Sequence, residues 1–384
     1  MKIYLLLIFF TFISFSVSAQ AKEEPKGIRF ETGTFAEILA KAKKENKLVM
    51  VDAFTSWCGP CKQMVKNVFP NDTVAEFYNK NFINAEFDME KGEGIELAKK
   101  YEVGCYPTFL FIDGNGELVH RVSSSMSAKG FVQLGADAMN PEKQFTSCKK
   151  KYDSGNTSSA DMIQYITMLS MACMPVKEEL AKYFSTQKEE ELTNRQNWTM
   201  LMCFTSETDS KEFQYLIAHQ TDFEKLYTAD SVNMKIEQVC IYSLFSFLYK
   251  KEPDIEGYKK MKEQIVKMNL PSSEKIVSRA DMGFYAATKD WTSYAKRAVV
   301  YIDKYAKEDY GLLNNVAWNF SEHVSDKILL AKAEEWIKHS VELHPEYFNY
   351  DTYAAVLYKL GKKEEAKAAA EKLHCAICVH TLAR

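Results

Sequence analysis

Phe35, Ile38, Leu39 and Ala42 recur at the spacing of one helix face in "TFAEILAKAKKENK". Thr34 stands just before them and Glu37 three residues later, the pattern of a capping box, so a helix is expected to begin there. The period then changes. "LVMVDAF" is a short and almost wholly apolar run, as expected of a strand covered on both faces. Helical patterns at 60–68 and 73–79 lead to a strand at "FINAEFD" and another helix at "GIELAKKYEV". Two strands follow, "TFLFID" and "ELVHRV", joined through Gly114-Asn115-Gly116 as a hairpin. "AKGFVQLGADAM" closes the series as a helix. The alternation predicts an α/β fold over 28–145, with a central mixed sheet flanked by helices.

The texture changes at "CKKKYDSGNTSS", which reads as a linker over 146–159. From 160 to 384 the chain shows helical patterns with short polar breaks and almost no strand signal, so an all-α domain is expected. Within 310–374, Asn315, Ala317, Ala333 and Pro345 are echoed by Asp351, Ala354, Gly361 and Ala366. Small residues at helix crossings with a period of about 34 resemble tetratricopeptide-type hairpins. Trp318, Trp336, Tyr350 and Tyr353 of this stretch are expected in its core. At the other end, Lys2 precedes an apolar run from Ile3 to Phe15, and small residues lead to Ala19. That is the pattern of a secretory leader over 1–19, short for a membrane span, followed by a linker at 20–27. An exported, periplasmic or otherwise extracytoplasmic protein is expected.

Composition narrows the chemistry. The net charge is −3, and no basic stripe with interleaved aromatics occurs, which argues against a nucleic-acid partner. Nine cysteines in 384 residues are too sparse for a disulfide scaffold, and an odd number cannot all pair internally. Two of them are close together, in "SWCGPCK". Cys58 follows an apolar strand, while Pro60 and Cys61 open a helix, so unpaired N–H groups and the positive dipole end face the first sulfur. Its pKa is expected below the free value of about 8.5. Cys58 therefore reads as an exposed nucleophile, with Cys61 one turn later placed to resolve a mixed disulfide. Pro60 suits the first helical turn, and Gly59 leaves room for another backbone. The alternatives are a structural disulfide, or half a zinc site completed by Cys375 and Cys378 with His374 and His380 beside them. His120, His219, His323, His339 and His344 show no metal spacing. Cys148, Cys173, Cys203 and Cys240 are expected to be buried small hydrophobes. Cys105 is balanced between packing and a regulatory thiol.

"VDAFTSWCGPCK" closely resembles the active-site segment of thioredoxin, including Asp52 six residues ahead of the first cysteine. The second signature is Pro107 in "VGCYPTFLF". The resemblance covers about 28–140, and "AKKENKLVMVD" and "VFPNDTVAEFYNKNF" look most like secreted members fed by a membrane relay. It implies a thioredoxin fold and a thiol–disulfide oxidoreductase, most simply a reductant of protein disulfides. Cys58 would attack and Cys61 resolve. Asp52 would be the buried acid that takes the proton of Cys61, and its apolar strand should raise its pKa. Pro107 would be cis and face the pair, with Trp57, Gly59, Pro60, Tyr106 and Thr108 framing the substrate groove. The redox group would be the Cys58–Cys61 disulfide, with no separate cofactor. Implied partners are disulfide-containing proteins and a membrane thiol relay as electron donor, with the helical half binding protein. The same residues also serve a disulfide oxidase or isomerase, or a helical adaptor or chaperone-like module in which the redox domain is secondary. The chain departs from the family in three places. "FINAEFD" offers no lysine to pair with Asp52, Ser123-Ser124-Ser125 stand where a glycine is usual, and Cys105 is extra.

Overall fold

Helix α1 (Phe35–Glu45) starts where the capping box places it, with Thr34 accepting the N–H of Glu37 and Glu37 accepting that of Thr34 at 2.9 Å. In this computed structural model residues 26–155 and 158–382 are described, side chains only as far as 372. The expected leader, most of the 20–27 linker, and the side chains of His374, Cys375, Cys378 and His380 lie outside the described residues.

After α1 come β1 (Leu48–Phe54), α2 (Gly59–Asn67), α3 (Asp72–Asn81), β2 (Phe82–Asp88), α4 (Gly94–Lys100), β3 (Thr108–Ile112), β4 (Leu118–Val122) and α5 (Ala128–Met139). The sheet order is β2-β1-β3-β4; β1 pairs parallel with β2 and antiparallel with β3, and β3 pairs antiparallel with β4. Strand alternation divides the core in two. Val49, Val51, Ala53, Ile83, Leu110 and Ile112 pack with Phe35, Ile38 and Leu97 of α1 and α4. On the other face Met50, Phe109 and Phe111 meet Met64, Tyr78 and Phe131 of α2, α3 and α5. Tyr78 stacks on Phe131 at 4.3 Å and donates its hydroxyl to the Phe131 carbonyl at 2.6 Å. Both faces being covered accounts for the almost wholly apolar run of β1. Asp52 is in phase with Met50, so alternation alone sends its carboxyl into the α2 side of the core.

The chain divides into two compact units, Met1–Glu179 and Leu180–Arg384, rather than at the expected linker 146–159. Most of that stretch is helix α6 (Phe145–Asp153), which buries Phe145, Cys148 and Tyr152 and exposes the lysines between them. The lysine run is thus the outer face of an amphipathic helix. Burial keeps His120 on β4 neutral, with its pKa lowered to about 4, and its Nδ1 accepts the N–H of Phe145 at 3.1 Å. Helix α7 (Ser159–Met171) follows under a second capping box, Ser158 with Asp161.

The second unit is helical throughout its described residues. Its last four helices, Tyr310–His323, Lys327–Leu343, Tyr347–Leu360 and Lys363–Leu382, are joined by breaks of two or three residues, and neighbours pack on each other. Val316, Ala317, Phe320, Ala333 and Trp336 form their core. Trp336 is buried there and the half-buried Tyr353 packs against that core, but Trp318 is 38% exposed and Tyr350 is only half-buried, contrary to expectation. Lys235 is buried beside the helix Arg195–Phe204, donating to the carbonyls of Met202 and Thr205 at 2.8 Å each. Burial pushes its pKa down to about 8, while the free carbonyls of the helix end hold the ammonium. Cys148 and Cys240 are buried as expected. Cys203 is not; it lies exposed on its helix.

Candidate active site

Cys58 is the N-cap of α2 and is joined to Cys61 by a disulfide with Cα atoms 5.3 Å apart. Its Sγ accepts the N–H of Cys61 at 3.0 Å, and Pro60 occupies the first turn, where no N–H is missed. The helix start therefore offers a donor and its dipole to the sulfur, which favours negative charge there when the couple is reduced. The expected exposed sulfur is not found in this oxidised state. Cys58 is 2% and Cys61 4% exposed.

The groove residues fall into two groups. Trp57 is 65% exposed, Gly59 and Pro60 are exposed, and a side chain added at Gly59 would meet nothing within 4 Å. This surface is open to an approaching chain. Tyr106 is half-buried, and its ring meets that of Trp57 edge-on at 6.0 Å, while Trp57 Nε1 donates to Glu90 at 3.0 Å. The Tyr106–Pro107 bond is cis. Thr108 does not line the groove. It is fully buried, donating to the Cys105 carbonyl at 2.7 Å and sharing a 2.6 Å hydrogen bond with the Ser123 hydroxyl.

Behind the disulfide, Asp52 and Cys61 line a cavity of about 310 Å³ together with Thr55, Lys62, Lys66 and Glu86. Asp52 is 2% exposed and its Oδ1 has no hydrogen-bond partner. Burial, and secondarily the Glu86 carboxylate, raise its pKa to about 8. Glu86 lies directly across from it in the parallel β1–β2 register, and its own pKa is raised by desolvation. A carboxyl with such a pKa exchanges a proton near neutrality, which suits it to a neighbouring thiol. Glu86→Gln is expected to lower the Asp52 pKa, read as a downward shift of its carboxyl ¹³C titration in the oxidised protein; no shift would leave desolvation as the whole cause.

Sequence reasoning missed Glu86 in this role, although the lack of a lysine in "FINAEFD" pointed to the right strand. It also missed Cys173. Far from being a buried hydrophobe, Cys173 is exposed and forms a disulfide with Cys105, with Cα atoms 6.3 Å apart. Among the described residues, no group of three or more His, Cys, Asp or Glu is arranged to hold a metal ion.

Comparison with known proteins agrees with this geometry. The thioredoxin-like domain family matches residues 35–138. Thioredoxin-1 of Drosophila melanogaster is 35% identical over 74 residues, 19% of this chain and 64% of that protein. The thiol:disulfide interchange protein DsbD of Yersinia pestis is 34% identical over 95 residues, 24% of this chain and 16% of its own length. The chain thus spans less than two thirds of either relative. A solution structure from Bacteroides thetaiotaomicron, provisionally assigned as a disulphide-isomerase, is 44% identical and covers 30% of this chain and 97% of its own, with a TM-score of 0.29.

Proposed function

Because residues 35–138 form a thioredoxin-like domain, we propose that the protein is an extracytoplasmic thiol–disulfide oxidoreductase that reduces protein disulfides. The observation that carries this reading is the Cys58–Cys61 disulfide at a helix N-terminus, with Asp52 behind it in the cavity that Cys61 lines. In the forward cycle the Cys58 thiolate attacks one sulfur of a substrate disulfide, and the other leaves as a thiolate and takes up a proton. Asp52 accepts the proton of Cys61, whose thiolate attacks Cys58 and expels the second substrate thiolate. Two electrons pass to the substrate and the Cys58–Cys61 disulfide is formed. The open surface of Trp57, Gly59 and Pro60, with the Tyr106–Pro107 backbone beside it, suits a substrate strand laid across the pair.

Restarting the cycle takes a dithiol donor. A membrane thiol relay would fill that role, and similarity to a thiol:disulfide interchange protein supports exchange with a partner dithiol. The leader-like pattern at 1–19 and a second disulfide, a bond that persists in oxidising compartments, support an extracytoplasmic location. In the second unit, the last four helices are read as tetratricopeptide-like hairpins that hold protein clients. The test is reduction of insulin by the full chain with dithiothreitol as electron source, beside a fragment ending at 179. Both are expected to reduce insulin faster than dithiothreitol alone, and the fragment to lose preference among larger protein clients. No acceleration by the full chain would overturn the enzymatic reading.

A further inference from the structure

The Cys105–Cys173 disulfide joins the loop that carries Pro107 to the end of α7, a helix beyond the matched domain. That junction is already held without it. Arg121 donates to the carbonyls of Tyr101 at 2.6 Å, Glu102 at 3.3 Å and Ala172 at 3.2 Å. Ser123 donates its N–H to the Met171 carbonyl at 2.7 Å, and its hydroxyl lies 3.1 Å from the Ala172 carbonyl. The same hydroxyl meets Thr108, which in turn holds the Cys105 carbonyl. A disulfide needed only to keep the fold together is expected where such ties are missing. Here they are dense.

Two further features set this bond apart. Cys173 is exposed and Cys105 half-buried, so the bond is open to an outside thiolate. Cys173 also has φ 55°, and the amide of Met174 bonds the Leu169 carbonyl in the helix-ending geometry that favours glycine. A cysteine there carries a small backbone cost. Its partner lies two residues before Pro107, at the edge where a substrate strand would bind.

We propose that Cys105–Cys173 is a second exchangeable disulfide, opened by a dithiol arriving at the groove, and that its state sets how extended polypeptides bind beside Pro107. A donor thiolate attacks Cys173, and Cys105 leaves as a thiolate and takes up a proton. The donor's second thiol, giving its proton to solvent, attacks the donor sulfur in the mixed disulfide and releases Cys173, which is protonated. The donor is oxidised to a disulfide and the Cys105–Cys173 bond is reduced by two electrons. Closed, the bond holds the Cys105 side chain against Cys173; open, it releases that side chain as a thiol two residues before Pro107, while Arg121, Ser123 and Thr108 keep the backbone in place. The groove part rests on the oxidoreductase reading, whereas the exchange part does not.

The test separates them. In a full-length Cys58→Ser, Cys61→Ser protein, thiols are equilibrated with graded mixtures of reduced and oxidised dithiothreitol, quenched in acid and tagged with a maleimide. Peptide mass spectrometry is expected to show Cys105 and Cys173 becoming taggable together while circular dichroism stays native. Protection until the protein unfolds would make the bond a plain staple, and tagging without reductant would mean that no bond exists; either overturns the proposal. Separately, Cys105→Ala with Cys173→Ala is expected to change KM for insulin several-fold while leaving turnover of a small aromatic disulfide unchanged. Equal changes for both substrates, or none, would overturn the groove part. If the unaltered chain turns over neither substrate, the oxidoreductase reading fails and the groove part with it, while the tagging result still decides the exchange.

Discussion

Cys58→Ser is expected to lower insulin reduction by about 1,000-fold or more, to the level of dithiothreitol alone, because a serine hydroxyl at this helix start does not exchange with a disulfide. Cys61→Ser should fail differently. Its Cys58 still attacks, but nothing resolves the adduct, so a mixed disulfide with the substrate accumulates and is seen by mass under non-reducing conditions. The two variants distinguish attack from resolution. If Cys58→Ser trapped substrate and Cys61→Ser did not, the roles would be reversed; if both kept turnover, exchange would lie elsewhere.

The second large effect is on stability and comes from Asp52. In the unfolded chain this carboxyl ionises near its ordinary value of 3.8, whereas in the fold burial, and then Glu86, hold its proton up to about 8. Between those values the folded state carries one more proton than the unfolded state. Its contribution is therefore fully present below pH 4, falls by about 1.4 kcal/mol per pH unit as pH rises, and levels off above pH 8. Asp52→Asn removes that slope. The oxidised variant should match the unaltered protein in urea at about pH 4 and exceed it by several kcal/mol, to order of magnitude, at about pH 9. A difference that stays flat with pH would show that Asp52 ionises normally in the fold. Stability gained would come at the cost of the proton acceptor for Cys61, so resolution should slow at neutral pH and lose its dependence on a group titrating near 8.

The parts of this molecule that were legible in the sequence are those fixed by neighbours along the chain. Thr34 and Glu37 cap α1 reciprocally, and the apolar run of β1 with a single acid in it marks both the central strand and Asp52. The Cys58–Cys61 spacing and Pro60 place the pair at a helix start, and the resemblance to thioredoxin implies its disulfide. What could not be read depends on pairing across the fold. Glu86 comes to lie opposite Asp52 only through the β1–β2 register. Cys105 meets Cys173 across 68 residues, and no spacing rule links them. Thr108 looks like a groove residue until its hydroxyl is seen bonded inward to Ser123. The lysines at 149–151 suggested a linker because polarity alone does not separate a loop from the outer face of a helix whose buried residues are Phe145, Cys148 and Tyr152.

To reduce protein disulfides, the Cys58–Cys61 couple needs a low reduction potential. Its reduction potential, measured in the full chain by equilibration with dithiothreitol buffers and peptide-resolved thiol tagging, tests this most directly. A value of about −270 mV, close to that of thioredoxin, is expected. A value about 100 mV more positive would contradict the reductant reading and make the protein an oxidant or isomerase of disulfides.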